Sequence, residues 1–192
     1  EVRLTVVIEV MGKYSNIILV DGNGKIVDAL KRVDAEMSSE RLVLPGLTYL
    51  PPPAQNKVSL LGVKVEEILH ILKEIPKNME LSKALLSVLQ GFSPIVCREL
   101  QHLAGHGREL FLKEMNQEEW QRLAFFLERT REIIEKTQGM PFMIVHPNQK
   151  PLDFSFLKIE QYGLSAIVRE FSTFSELLDA FYEERDRIER MR

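Results

Sequence analysis

The run Pro51-Pro52-Pro53 inside "LPGLTYLPPPAQNK" (Leu44 to Lys57) constrains this chain more than any other stretch. Consecutive prolines fix φ near the polyproline value and supply no backbone N–H, so neither a helix nor a central strand can run through them. Secondary structure on the two sides must therefore form separately. The stretch reads as a stiff connector that opens on a Pro-Gly turn and ends in the polar residues Gln55, Asn56 and Lys57.

Residues 1–56 read as strands. "RLTVVIEVM" is rich in β-branched residues, and "NIILVD" repeats the pattern after the polar interruption "GKYS". "DGNG" at Asp21 to Gly24 is a hairpin signal, since Gly and Asn tolerate the positive φ of tight turns. "KIVDALKRV" fits either a third strand or a short amphipathic piece. Residues 57–138 read as helices. Val65, Ile68, Leu69 and Leu72 fall at helical spacing, and "MELSKALLSVL" and "IVCRELQHLAG" flank "QGFSP" as a helical hairpin. There Gly91 ends one helix, Ser93 caps the next and Pro94 suits its first turn. A longer helix starts at Asn116, which pairs with Glu119 in a capping-box pattern, and runs to Gly139 with Trp120, Leu123, Leu127 and Ile134 on its buried stripe. Residues 139–171 return to strands in "MPFMIVHP", "LDFSFLKIEQY" and "AIVREF". Residues 172–192 form a final helix, capped by Thr173 with Glu176, with Phe174, Leu177, Leu178 and Phe181 on one face. Beyond Tyr182 charges dominate, the pattern of a helix leaving a domain for solvent or a coiled coil. Strands, then helices, then strands give an α+β fold class.

Composition removes several functions. With 45% hydrophobic and 28% charged residues among 192, the chain is ordinarily globular. Its net charge of −3 excludes a uniformly basic coat but not a local basic patch, because a phosphate responds to nearby charge. The one cysteine, Cys97, excludes an intrachain disulfide and leans to a reducing, cytoplasmic setting. No apolar run approaches the roughly 18 residues of a membrane span, so no membrane partner is expected. The chain opens at Glu1 in strand-like sequence and closes on "EERDRIERMR" without a stop signal, which reads as a piece of a longer protein.

Three polar stretches carry the candidate chemistry, each with a structural alternative. A helix N-terminus presents unpaired N–H groups and partial positive charge, so Gly91, Phe92 and Ser93 of "GFSP" can receive a phosphate, with Arg98 the one cation close in sequence. The alternative is an ordinary helix–turn–helix connection. Lys13, Tyr14 and Asn16 of "MGKYSN" offer a cation, a ring and an amide on an exposed turn, suited to a phosphate and a base. A plain polar hairpin loop explains them equally. Gln55 and Lys57, held by the proline arm, have the same two readings. Metal and catalytic readings fail. His102 and His106 lack a third ligand at convincing spacing, and Cys97 with His102 is no catalytic pair. With no P-loop, dinucleotide fingerprint or nucleophile elbow, neither an enzyme nor a cofactor is expected.

"VIEVMGKYSNIILVD", followed some thirty residues later by "LPGLTYLPPPAQNK", resembles the NFACT family, as do the later blocks "LLSVLQGFSPIVCREL" and "FSELLDAFYEERDR". The resemblance implies ribosome-associated quality control: binding a large ribosomal subunit obstructed by peptidyl-tRNA and recruiting tRNA for template-free alanine tailing of the nascent chain. It also implies a fold. Residues 1–56 would be the tail of a glycosylase-like β-domain, "GFSP" the turn of a helix–hairpin–helix domain, and residues 172–192 the start of a coiled-coil arm. The Asp-Arg pair the family uses for tRNA lies upstream of "EVRLTVVIEV", and no N-terminal proline nucleophile is present for base-excision chemistry. An older family name implies an alternative, a fibronectin-binding surface adhesin.

Overall fold

The computed structural model describes residues 3–191; the first two residues of the opening strand-like run and Arg192 of the closing helix lie outside them. The fold is mixed α+β, with five helices and two three-stranded antiparallel sheets among the described residues. The chain divides into two compact units, Glu1–Gln55 and Asn56–Arg192.

In the first unit, β1 (Leu4–Glu9), β2 (Asn16–Asp21) and β3 (Ile26–Ala29) pair in the order β1-β2-β3. The ambiguous "KIVDALKRV" supplies the third strand. The Asp21 carboxylate accepts from the N–H groups of Asn23 and Lys25 (2.8 and 2.9 Å), closing the β2–β3 turn by side-chain mimicry of a backbone turn. Period-2 alternation sends Ile18, Val20 and Ile26 to a core shared with Val43. The opposite face leaves Leu4, Val6, Ile8 and Ile17 exposed. Leu44-Pro45-Gly46-Leu47 makes a tight turn, with Gly46 at φ 86° and Leu47 N–H donating to Leu44 O. Proline at the second position and positive φ at the third are what a type II turn requires. The turn returns the chain along β3, where Ile26 N–H donates to Leu47 O and Tyr49 N–H to Gly24 O. Arg41 then fastens the chain just before the prolines. Its guanidinium pairs with both Glu9 carboxylate oxygens at 2.7 Å and donates to Leu50 O at 2.7 Å, while the Tyr49 hydroxyl donates to Glu9.

The second unit runs α1 (Val65–Glu74), α2 (Leu81–Val88), α3 (Pro94–Gly105), α4 (Gln117–Glu135), β4 (Phe142–Val145), β5 (Pro151–Ser155), β6 (Ile167–Glu170) and α5 (Phe174–Arg190). Ile68, Leu72, Leu85, Leu100, Leu123 and Leu127 are fully buried between α1 and α4. Asn116 and Glu119 close a complete capping box on α4. That helix stops at Glu135, short of the expected Gly139, because Thr137 turns left-handed (φ 51°) and Gln138 N–H reaches back to Ile133 O at 2.8 Å. The sheet order is β5-β4-β6. Its central strand is buried on both faces: Ile144 joins the helical core, whereas Met143 and Val145 pack with Leu177 and Phe181 of α5. Phe174 and Leu178, on the same helix, remain exposed.

Candidate nucleic-acid interface

The α2–α3 hairpin is built by the residues that suggested it. Leu89 is buried, Gly91 takes φ 77°, and Ser93 occupies the N-cap position of α3 with Pro94 in the first turn. A side chain at Gly91 would meet no neighbour, so its constraint is the backbone angle alone. The Ser93 side chain makes no capping hydrogen bond, in contrast to Asn116 and Thr173. Its hydroxyl therefore stands beside the α3 N-terminus without an intramolecular role there.

Lys57 joins this turn. Val58 N–H donates to Val88 O (2.8 Å) and Gln90 N–H to Val58 O (2.9 Å), a parallel bridge that lays residues 57–59 along the hairpin. Lys57 and Arg98 are the cations whose charge reaches the Cys97 thiol. They oppose its rise, but burial dominates and pushes the thiol up to about 12. Cys97 is thus a neutral packing residue under a cationic helix start.

Arg98 is itself held in place. The buried Glu99 carboxylate accepts from the N–H groups of Glu160 and Gln161 (2.9 and 3.1 Å). Gln161 Nε2 donates inward to Ile95 O (2.9 Å) and Glu99 (3.2 Å), which fixes the amide so that Oε1 accepts from Arg98 Nε at 3.3 Å. Arg98 Nη2 also approaches the Tyr162 hydroxyl at 3.4 Å. Gln161 and Tyr162 lie more than sixty positions from Arg98, and no local sequence signal links them.

The other candidates sit in the first unit. Gly12–Tyr14 form a single 3-10 turn, and the Lys13 ammonium lies 4.9 Å from the exposed Tyr14 ring centroid. Gln55 is exposed. Asn16 corrects the expectation of an exposed amide. It is only 5% exposed, with Nδ2 donating to Lys31 O (2.8 Å) and Oδ1 accepting from Lys31 N–H (2.9 Å), so its side chain clamps the strand end after β3. The cause is the β1–β2 register: Asn16 faces Glu9 on the sheet's inner side. The eight candidates therefore divide into Lys57 with Gly91–Ser93 in one unit, and Lys13, Tyr14, Asn16 and Gln55 in the other.

Among the described residues, no group of three or more His, Cys, Asp or Glu stands together to hold a metal ion, and no helix is long and apolar enough to cross a membrane.

The fold places a unit of antiparallel strands first in the chain and a mixed α+β unit with a helical hairpin after it. The sequence matches the NFACT N-terminal and middle domains over residues 1–192, and the chain belongs to this family. It is 35% identical over 185 residues to the Rqc2 homolog RqcH of Bacillus subtilis, covering 94% of this chain and 30% of that protein. Against the Rqc2 homolog RqcH of Streptococcus pneumoniae serotype 2 it is 29% identical over 192 residues, covering 97% and 29%. The chain spans about 30% of the length of these curated relatives. Among solved structures it resembles the fibrinogen binding protein from Staphylococcus aureus, with a TM-score of 0.66 and 30% identity over 93% of this chain and 59% of that one. It also resembles the N-terminal part of the fibronectin/fibrinogen-binding protein from Streptococcus suis, with a TM-score of 0.58 and 25% identity over 94% and 57%.

Proposed function

We propose that this chain is an RNA-facing portion of a cytoplasmic ribosome-associated quality control factor that acts by binding rather than catalysis. The factor engages large ribosomal subunits obstructed by peptidyl-tRNA and recruits tRNA for template-free C-terminal alanine tailing. Residues 1–56 serve as the tail of a glycosylase-like β-domain, residues 57–138 as a helix–hairpin–helix domain, residues 139–171 as a strand region at its side, and residues 172–192 as the start of a coiled-coil arm. The observation that carries the reading is the α3 N-terminus itself, where the Ser93 hydroxyl makes no capping bond and the charges of Lys57 and Arg98 both reach Cys97 of the same helix. Two cations beside unpaired N–H groups attract a phosphate, which supplies affinity without reading sequence.

The test is a salt titration of binding to tRNA and to isolated large subunits. Each phosphate contact releases counterions, so affinity is expected to fall steeply with salt. Lys13→Glu with Lys57→Glu should weaken binding at low salt and leave the unfolding midpoint unchanged. Unchanged affinity would remove both lysines from the interface.

A second reading, a fibronectin-binding surface adhesin, is consistent with the name of the similar Streptococcus suis structure, a fibronectin/fibrinogen-binding protein. It requires saturable fibronectin binding with little salt dependence, run beside the RNA titration. Fibronectin binding with RNA silent would replace the first reading.

A further inference from the structure

A concavity of the second unit lies away from the α3 N-terminus. It is an open groove of about 550 Å³ between the C-terminal half of α3 and the first half of α4. Its volume falls within the range of small-molecule sites. Phe125 projects into it from α4 and is 62% exposed, although a helix of this polarity ordinarily gives such a position to a charged residue. Phe126 meets Phe125 edge-to-face, with centroids 5.2 Å apart, and Leu103 completes the apolar wall. Nothing in the unit's core requires an aromatic ring at position 125.

The polar groups are graded by depth. Arg122 is the inner cation, with a side chain only 25% exposed and Nε tied to Ala104 O at 2.7 Å. That bond orients the guanidinium, and among the described residues Nη2 has no hydrogen-bond partner. His102, half-buried, lines the same groove from α3 and brings an imidazole donor and acceptor. The acidic groups are the exposed ones: Glu118 is 82% exposed and 3.7 Å from Arg122, and Glu160 is 54% exposed beside Lys158. An exposed ring, an oriented guanidinium and an imidazole together suit a planar base with a phosphate attached. A basic peptide side chain would need the carboxylates at the floor, where Arg122 sits instead. A purely aliphatic anchor would strip water from Arg122 and His102 without replacing it.

We propose that this groove binds one nucleotide of RNA with its base unstacked, the base lying on Phe125 and the phosphate meeting Arg122 and His102. The site adds to the α3 N-terminus and rests on the RNA-binding reading only for the source of the nucleotide.

The test titrates the 192-residue chain, labelled for aromatic NMR, with AMP, adenosine, hexa-adenylate RNA and hexa-arginine. AMP and hexa-adenylate should both shift the Phe125 and His102 signals, and adenosine should bind more weakly than AMP. Phe125→Ala should weaken AMP binding about five-fold or more, since base stacking on an aromatic ring contributes on that order, while Phe125→Tyr keeps the affinity. AMP binding without hexa-adenylate binding would overturn RNA as the source. Shifts with hexa-arginine alone, or no shifts with any probe, would overturn the site. Failure of tRNA and subunits to bind in the salt titration would count against the RNA reading and leave the AMP titration readable.

Discussion

Glu9 and Arg41 form a buried ion pair in the first unit. Their side chains are 4% and 13% exposed and meet in a two-point pair at 2.7 Å, with Tyr49 as a further donor. Hydrogen bonding from Arg41 outweighs burial and holds the Glu9 carboxyl below its usual value. A carboxyl with a lowered folded pKa contributes stability that is fully present above its unfolded value and is lost as pH falls through the folded one. Stability of this unit should therefore decline below about pH 4.5, near the ordinary glutamate value, and Glu9→Gln should flatten that decline. Arg41→Ala strands a buried carboxylate and should cost about 3 kcal/mol, the low end for breaking a buried pair. Urea unfolding of the two variants across pH 3 to 7 checks both expectations (a window set by carboxylate titration generally). Asn16 shows the limit of local reading at this scale. As part of "MGKYSN" it looks like a loop amide, and only strand register makes it an inward-facing clamp on Lys31.

Caps and turns separate structural residues from available ones at the scale of single elements. Asn116 and Ser93 hold equivalent N-cap positions, yet only Asn116 accepts from the helix it starts. Asn116→Ala should therefore cost about 1 kcal/mol of stability, a typical loss for a capping residue. Ser93→Ala should leave stability nearly unchanged and lower only RNA affinity; matched thermal melts and tRNA titrations distinguish the two. Equal destabilisation by both would assign Ser93 to the fold. Helices α1 to α4 are legible in the sequence because apolar spacing and capping patterns are local, as are the Pro-Gly turn and the β2–β3 hairpin. What stayed hidden is non-local. The bridge between Val58 and Leu89 that brings Lys57 to the hairpin, and the Glu99–Gln161 link behind Arg98, join positions that no periodicity connects. The α4 boundary is hidden for another reason: a β-branched residue at φ 51° is disfavoured intrinsically, so nothing in the sequence marks Thr137 as the stop.

The two units differ in how much apolar surface each removes from water. The second buries a continuous set from Leu60 to Ala166 and a satellite under α5. The first buries Ile18, Val20, Ile26 and Val43 with Val7, Ala29, Val33 and Tyr49 packed against them, while Leu4, Val6 and Ile8 on β1 stay exposed and contribute nothing to its core. Hydrophobic stabilisation scales with area buried, and the stiff proline segment supplies no core residue to either unit. The first unit is therefore expected to unfold at lower denaturant than the second. Trp120, the one tryptophan, packs on the helical core and reports on the second unit alone. Amide exchange at Ile18 and Val20 reports on the first. The two probes should give separate transitions, with the exchange-detected one earlier, and Arg41→Ala should move that transition without shifting the Trp120 midpoint. Coincident transitions that both respond to Arg41→Ala would mean the units unfold as one cooperative body, and the connector would then have to transmit stability rather than only carry the chain between two independently built cores.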